Sequence, residues 1–230
     1  MKARPKLKKL RRRLYGVRSL VPGLRRRHRL EAMVGPLGYW KQLQRYQFQA
    51  VTRLGLRPHH SFLDIGCGPL QGGISFIRHL EPGRYVGLDQ SPLAIKTAHE
   101  EISKHKLTWK NPRLFLSHNF GDGQLGTATF DFIWMSQILY YFDDHKMSQL
   151  FEMVRRRLRR SGVMAGDIFG PASDSSFLRH PLPPLHTAES LSALAKAHGL
   201  QVSALGPLHD FGYPKRLGLG KNILLRISHS

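Results

Sequence analysis

The chain has 230 residues, 41% of them hydrophobic, with 36 Lys and Arg against 15 Asp and Glu, a formal net charge of +21. That length suits one globular domain with a sizeable core, and no run approaches the roughly 20 apolar residues of a membrane-spanning helix. A single cysteine, Cys67, excludes an intrachain disulfide and agrees with a reducing compartment.

The charge is uneven. Residues 1–30 hold 13 Lys and Arg and no acid, whereas the other 200 hold 23 bases and 15 acids. Leu7, Leu10, Leu14 and Val17 recur at helical spacing, with Lys8, Lys9 and Arg11–Arg13 around the other sides, and Pro22-Gly23 is expected to break that helix. The domains expected are a basic, partly amphipathic arm over residues 1–30 and a folded domain over 31–230. Such an arm suits an anionic membrane surface or RNA phosphates, and it also fits a solvated tail without a partner. Few Ser or Thr argue against a mitochondrial transit peptide, and no apolar core of a secretory signal follows the positive start. The expected location is cytoplasmic, with attachment at a membrane periphery left open.

Farther along, Gly38 to Leu54 predicts a helix. Ser61–Asp64 predicts a first strand, Gln71–Leu80 its helix, and Arg84–Asp89 a second strand. Pro92–His105 follows as a helix with Ser91 as N-cap. Arg113–Ser117 and Phe130–Ser136 predict strands three and four, and Lys146–Leu158 a helix capped from Asp143 or Asp144. Gly162–Phe169 predicts strand five, after a turn. Thr187–His198 predicts a helix stopped by Gly199, and Leu200–Leu205 with Asn222–Ile227 a last pair of strands. Strands alternating with helices imply an α/β fold: a doubly wound, mostly parallel, seven-stranded Rossmann-like sheet covered on both faces. Gly170–His186, rich in proline, reads as a loop at the carboxyl edge of the sheet, where ligands bind in such folds.

Two segments carry the chemistry. Phe62-Leu63-Asp64-Ile65-Gly66-Cys67-Gly68 is an apolar strand ending in a glycine turn, and the next apolar strand ends in Asp89. Glycines let a ligand approach the backbone, and a carboxylate at the second strand's tip can accept from both ribose hydroxyls. A dinucleotide fits poorly: Asp64 would repel pyrophosphate, and Gln71 stands where the third glycine of such a loop belongs. The loop also lacks the Lys-Ser or Lys-Thr pair of a phosphate loop. A ligand bearing an amine and a sulfonium, S-adenosylmethionine, suits the carboxylate.

Leu63-Asp64-Ile65-Gly66-Cys67-Gly68 and Gly87-Leu88-Asp89-Gln90-Ser91 resemble the first motif and the acidic ribose motif of class I S-adenosylmethionine-dependent methyltransferases. Phe130-Asp131-Phe132-Ile133-Trp134-Met135-Ser136 resembles that family's fourth strand, and Leu158-Arg159-Arg160-Ser161-Gly162 the helix end and turn before its fifth. The resemblance implies a methyltransferase with cofactor contacts at Asp64, Gly66, Cys67, Gly68, Asp89 and Gln90. It extends these to Asn119 and Phe120 for the adenine, with Asp122 competing for the polar role, and to Ser136 and Gln137 at the end of strand four, between cofactor and acceptor. It also implies that the helix from Gly38 covers the cofactor.

No catalytic residue is singled out. An oxygen acceptor needs a base, for which His118, His145, His180 and His186 are candidates, with Tyr140 and Tyr141 as positioning groups. Asp143-Asp144-His145 reads as a helix cap rather than a metal site. The one cysteine lies in the cofactor loop, which argues against cytosine C5 methylation. Ser136-Gln137-Ile138-Leu139 lacks the Asn/Asp-Pro-Pro-aromatic stretch of base-amine methylation. A small-molecule, sugar or lipid-associated acceptor is the leading expectation, RNA methylation the alternative, and a silent binding module of the same fold the third.

Overall fold

The computed structural model of the chain describes residues 22–121, 123–171, 173 and 186–230, with residues 22–25 described by backbone alone. The expected helix over Leu7–Val17, Asp122, His180 and most of the proline-rich loop lie outside the described residues. The described residues up to Trp40 belong to a small unit and those from Lys41 to Ser230 to a larger one.

In the small unit, helix α1 spans Pro22–Val34. Pro22 therefore opens a helix, the position where its missing N–H and fixed φ are tolerated, and this helix runs past residue 30. Glu31 meets Arg27 at 3.5 Å one turn back. Its carboxylate accepts the backbone N–H groups of Gly38 at 2.8 Å and Trp40 at 3.2 Å, which fixes the turn after the helix.

Helix α2 spans Trp40–Arg53. The larger unit then runs β1 (Phe62–Ile65), α3 (Gly73–His79), β2 (Tyr85–Asp89), α4 (Pro92–Lys104), β3 (Arg113–Leu116), β4 (Phe130–Met135), α5 (Asp144–Arg157), β5 (Leu158–Ile168), α6 (Ala188–Lys196), β6 (Leu200–Pro207) and β7 (Ile223–His229). The sheet order is β3-β2-β1-β4-β5-β7-β6. The first five strands pair in parallel, and β7 runs antiparallel to both β5 and β6. This is the seven-stranded, mostly parallel Rossmann-like arrangement that the alternating pattern implies.

Side-chain alternation sorts the two faces. Leu63, Ile65, Val86, Leu88, Ile133 and Met135 join the α5 residues Met147, Leu150, Phe151 and Val154 in one core. Across the strands on the opposite face, Phe62 is in register with Tyr85 and Phe132. Their rings lie 6.0 and 5.6 Å apart, and Phe76 of α3 closes on Phe62 at 4.9 Å. On the α2 side, Gln47 bridges Trp134 Nε1–H at 3.3 Å and Gln71 Oε1 at 3.1 Å, anchoring the helix to the sheet.

The caps form as their residue types dictate. Ser91 Oγ accepts from Ala94 N–H, Asp143 Oδ1 from Lys146 N–H, and Thr187 and Ser190 make a reciprocal capping box. One expectation needs correction. Strand five begins at Leu158, not after a turn at Gly162, because Leu158 pairs with Phe130 before pairing resumes at Phe132 and Val163. Residues 159–162 bulge opposite Asp131, and Arg159 closes the bulge by gripping both Asp131 oxygens at 2.9 and 2.8 Å. Among the described residues no helix is long and apolar enough to cross a membrane.

Candidate functional site

The carboxyl ends of β1 and β2 carry the glycine loop and Asp89, and hydrogen bonds tie them together. Gly66 and Cys67 N–H both donate to the Leu88 carbonyl, at 2.7 and 3.0 Å. Gly68 N–H donates to Asp89 Oδ2 at 2.9 Å, and Ser91 N–H to Asp89 Oδ1 at 2.8 Å. The Asp89 carboxylate is thus fixed by one donor on each oxygen, with lone pairs left for a ligand. Gly66 is exposed and has φ +73°, and a Cβ on it would strike Ile138 Cδ1 as well as any ligand over the loop. Gln90 is exposed beside this cradle.

Asp64 sits below the loop, 4% exposed. Its Oδ2 accepts from the Tyr85 hydroxyl at 2.7 Å. The hydroxyl has room because residue 73 is glycine; a Cβ there would lie 2.7 Å from it. Burial raises the Asp64 carboxyl to about 7, against the lowering effect of the Tyr85 hydrogen bond and with a further push from Asp89. Cys67 is buried, and burial first, then Asp64 and Asp89, drives its thiol well above the usual range. It acts as a small packing residue, not a nucleophile.

At the end of β3, Ser117 shapes the turn that follows the strand. Its Oγ accepts from Gly121 N–H at 2.7 Å and pairs with Asn119 Oδ1 at 3.2 Å. Asn119 is exposed, whereas Phe120 is buried at φ +59°. The Phe120 ring meets Phe142 at 5.7 Å and the Lys146 ammonium at 4.5 Å. Asn119 and Phe120 also line a cavity of about 470 Å³ whose other walls come from α5 and His198. The described ring partners of Phe120 thus lie on the α5 side of the loop, whereas Asn119 bonds within its own turn.

The candidate bases divide. His186 is buried, with Nε2 on the Phe142 carbonyl at 2.9 Å and Nδ1 3.6 Å from Asp144, so it serves the loop before α5. His145 is exposed against Gln149 at 3.0 Å, and His118 is exposed with its carbonyl accepting from Lys146. Tyr140 is buried and stacked on Phe169 at 4.5 Å, while Tyr141 is half exposed. Among the described residues no group of His, Cys, Asp or Glu is arranged to hold a metal.

The ends of β4 and β5 bring Gln137, which the resemblance marks, together with residues that the motifs do not. Asp167 is 1% exposed; its Oδ1 accepts from Gln137 N–H at 2.6 Å and its Oδ2 from Asn222 Nδ2–H at 2.8 Å. Burial raises its carboxyl to about 6 despite these donors. Gln137, at φ +59°, is held again through its side chain, whose Nε2–H donates to the Tyr213 hydroxyl at 2.7 Å. Tyr46 of α2 packs edge-on against Tyr213 at 5.0 Å. The Tyr46 hydroxyl lies beside Ser136 without closing to hydrogen-bond geometry, and it is buried with no partner. The available sequence signal was a carboxylate, Asp167, inside the otherwise apolar run Val163–Phe169.

This edge fits a nucleoside with cationic groups. Three acids, Asp64, Asp89 and Asp167, stand along it, and among the described residues none of them makes an ion pair with Lys or Arg. A phosphate would meet repulsion there, whereas a diol and a positive charge find acceptors. Residues 63–164 match the family model described as a methyltransferase domain. No curated protein matches the chain. Solved structures share the fold at low identity. The CcbJ methyltransferase from Streptomyces caelestis superposes with a TM-score of 0.63 at 13% identity, covering 85% of this chain and 97% of its own. Magnesium protoporphyrin IX methyltransferase from Synechocystis, solved with bound SAH, gives 0.64 at 15% identity, covering 90% and 94%. A TehB-like SAM-dependent methyltransferase from Corynebacterium glutamicum gives 0.57 at 16%, covering 80% and 88%.

Proposed function

We propose that this class I, S-adenosylmethionine-dependent methyltransferase delivers its methyl group to a small or lipid-associated acceptor at the carboxyl ends of β4 and β5. S-adenosylmethionine supplies an already electrophilic methyl carbon, so the protein's share is binding, alignment and proton handling. Asp89 would hold the ribose hydroxyls, and the backbone of Gly66, Cys67 and Gly68 would lie against the nucleoside. Asp64 would set a negative potential beneath the sulfonium and amine. Ser136 stands between this cradle and the acceptor side.

The observation that carries this reading is the Gly68–Asp89 hydrogen bond of 2.9 Å, which makes the glycine loop and the acidic strand end one rigid receptor. Calorimetry with S-adenosylmethionine and S-adenosylhomocysteine tests it: both should bind, and Asp89→Ala should weaken both. Binding of NAD instead would overturn it.

A second reading, methylation of RNA, is favoured by the acid-free segment 1–30 with its 13 bases. Phosphate contacts through that segment would make binding fall with salt at about −0.7 per neutralised phosphate on single strands. Turnover that survives deletion of residues 1–30 and varies little with salt supports the small acceptor. Turnover that collapses on both counts supports RNA.

A further inference from the structure

Resting on the methyltransferase reading, we infer that the acceptor is an amine, recognised at the ends of β4 and β5 by the Asp167 carboxylate and the Tyr46 hydroxyl. Three observations converge there. Asp167 is a carboxylate 1% exposed whose two donors, Gln137 N–H and Asn222 Nδ2–H, are neutral. A buried charge is ordinarily paired with an opposite one, and no described Lys or Arg pairs with it. The Tyr46 hydroxyl, on a side chain 1% exposed, lies beside Ser136 and feels the Asp167 charge, and makes no hydrogen bond of full geometry. Gln137 is held at φ +59° by hydrogen bonds at both its backbone and its side chain, and such strain is retained where a site requires it.

The sheet places this cluster on the acceptor side. Met135 is in register with Gly166, and Asp64 with Trp134. Ser136 and Asp167 therefore follow side by side, and Gly66 falls one strand beyond Ser136. At about 4.8 Å per strand, Asp167 stands roughly 10 Å from the glycine loop. On this proposal the acceptor nitrogen lies between them.

The chemistry favours nitrogen over an anionic oxygen. The lone pair of a neutral amine forms the new N–C bond as the S–C bond breaks, and the S–C electron pair stays on sulfur. Positive charge moves from sulfur to nitrogen, and the nitrogen then releases a proton to water. A carboxylate on the nitrogen's side stabilises that charge as it develops. The same carboxylate would repel a carboxylate or phosphate acceptor. The Tyr46 hydroxyl can accept from the amine's N–H and so orient its lone pair.

The test uses the full chain with two readouts. Saturated with S-adenosylhomocysteine, the protein is titrated calorimetrically with benzylamine, benzyl alcohol and benzoate, probes of matched shape and different charge. Benzylamine should bind at least tenfold tighter than the other two, and Tyr46→Phe should reduce that preference several-fold. Incubation with methyl-labelled S-adenosylmethionine and a metabolite extract should place label in base-stable compounds retained on a cation exchanger. Asp167→Asn should lower that labelling at least tenfold while S-adenosylhomocysteine affinity stays within threefold. The exchanged pair Asp167→Asn with Asn222→Asp keeps the carboxylate–carboxamide contact and the charge, and should recover part of the labelling. No preference for benzylamine, label released as methanol by mild base, label confined to anionic or neutral compounds, or binding of S-adenosylhomocysteine with no label at all overturns the amine assignment. Failure to bind S-adenosylhomocysteine removes instead the methyltransferase reading beneath it.

Discussion

Asp89→Asn separates a structural anchor from a simple ribose acceptor. Each Asp89 oxygen already takes one backbone N–H, from Gly68 at 2.9 Å and Ser91 at 2.8 Å. An ionised carboxylate has about four acceptor sites, so about two remain for ribose hydroxyls. Asparagine keeps the shape but turns one oxygen into an NH₂ group, which must then face an N–H donor. The isostere therefore loses one ligand acceptor and also disturbs the loop. With hydrogen bonds to charged groups worth about 1.5–3 kcal/mol, S-adenosylhomocysteine should bind roughly 10- to 150-fold more weakly. Asp89→Ala should fall in the same range, because asparagine gives no rescue. Calorimetry reads the affinity, and a thermal melt confirms that both variants stay folded. Wild-type affinity in a folded Asp89→Asn protein would refute the argument that the charge and its two anchors form the receptor.

Further outcomes follow from the same contacts. Burial holds the Asp64 carboxyl at about 7, above its ordinary 3.8. The folded state thus keeps a proton that the unfolded chain releases, so this group's contribution to stability falls as pH rises from about 4 to 7 and is level above. In urea titrations, the stability of Asp64→Asn relative to wild type should therefore grow by about 4 kcal/mol across that window; a flat difference would contradict the buried-acid assignment. Tyr85→Phe removes the 2.7 Å donor to Asp64 and should cost about 1.5–3 kcal/mol in the same titrations at pH 8. Phe62→Ala opens the aromatic row across β2, β1 and β4 and should cost about 3–5 kcal/mol, read as a lowered urea midpoint. For residues 1–30, Leu10→Glu with Leu14→Glu should impair binding to anionic vesicles more than binding to RNA, because only the membrane uses the apolar face; equal losses in co-sedimentation would discard the membrane reading of that segment.

The fold was legible because its signals are local. Apolar runs of strand length end in Gly66 and Asp89, and Ser91, Asp143 and Thr187 cap the helices that follow, so element order and sheet class needed no tertiary information. The bulge in β5 reads as a turn because Arg159, Arg160 and Ser161 are polar and exposed; the grip of Arg159 on Asp131, which is distant in sequence, closes it between the flanking strand pairs. The cradle of Gly66, Gly68 and Asp89 was legible from motif spacing. Gln137 was legible from its place at the end of strand four, but its partners Tyr46, Asp167 and Tyr213 were not, since they come from separate stretches and meet it through the sheet order β4-β5-β7 and the docking of α2. Phe120, the residue that the resemblance places at the adenine, rests its ring against Phe142 and the Lys146 ammonium, contacts that come from far along the chain and were not legible either.

Charge is divided along the chain in a way that bears on which partners reach which part. The sequence carries +21 overall, with 13 bases in its first 30 residues, whereas the site edge carries Asp64, Asp89 and Asp167 without basic partners among the described residues. Unit charges 4 Å apart interact by about 4 kcal/mol at an effective dielectric constant near 20. A phosphate brought against Asp89 or Asp167 would meet a penalty of that order, which salt screens little at such short range in a partly buried setting. On the proposed small-acceptor reading, polyanions drawn to the basic segment would be repelled at the sheet edge, while a cationic or neutral acceptor would be admitted. Turnover should therefore be inhibited by free inorganic phosphate no more than by chloride at equal ionic strength. Selective inhibition by phosphate, competitive with the methyl acceptor, would show a basic group at the edge and would undo this division.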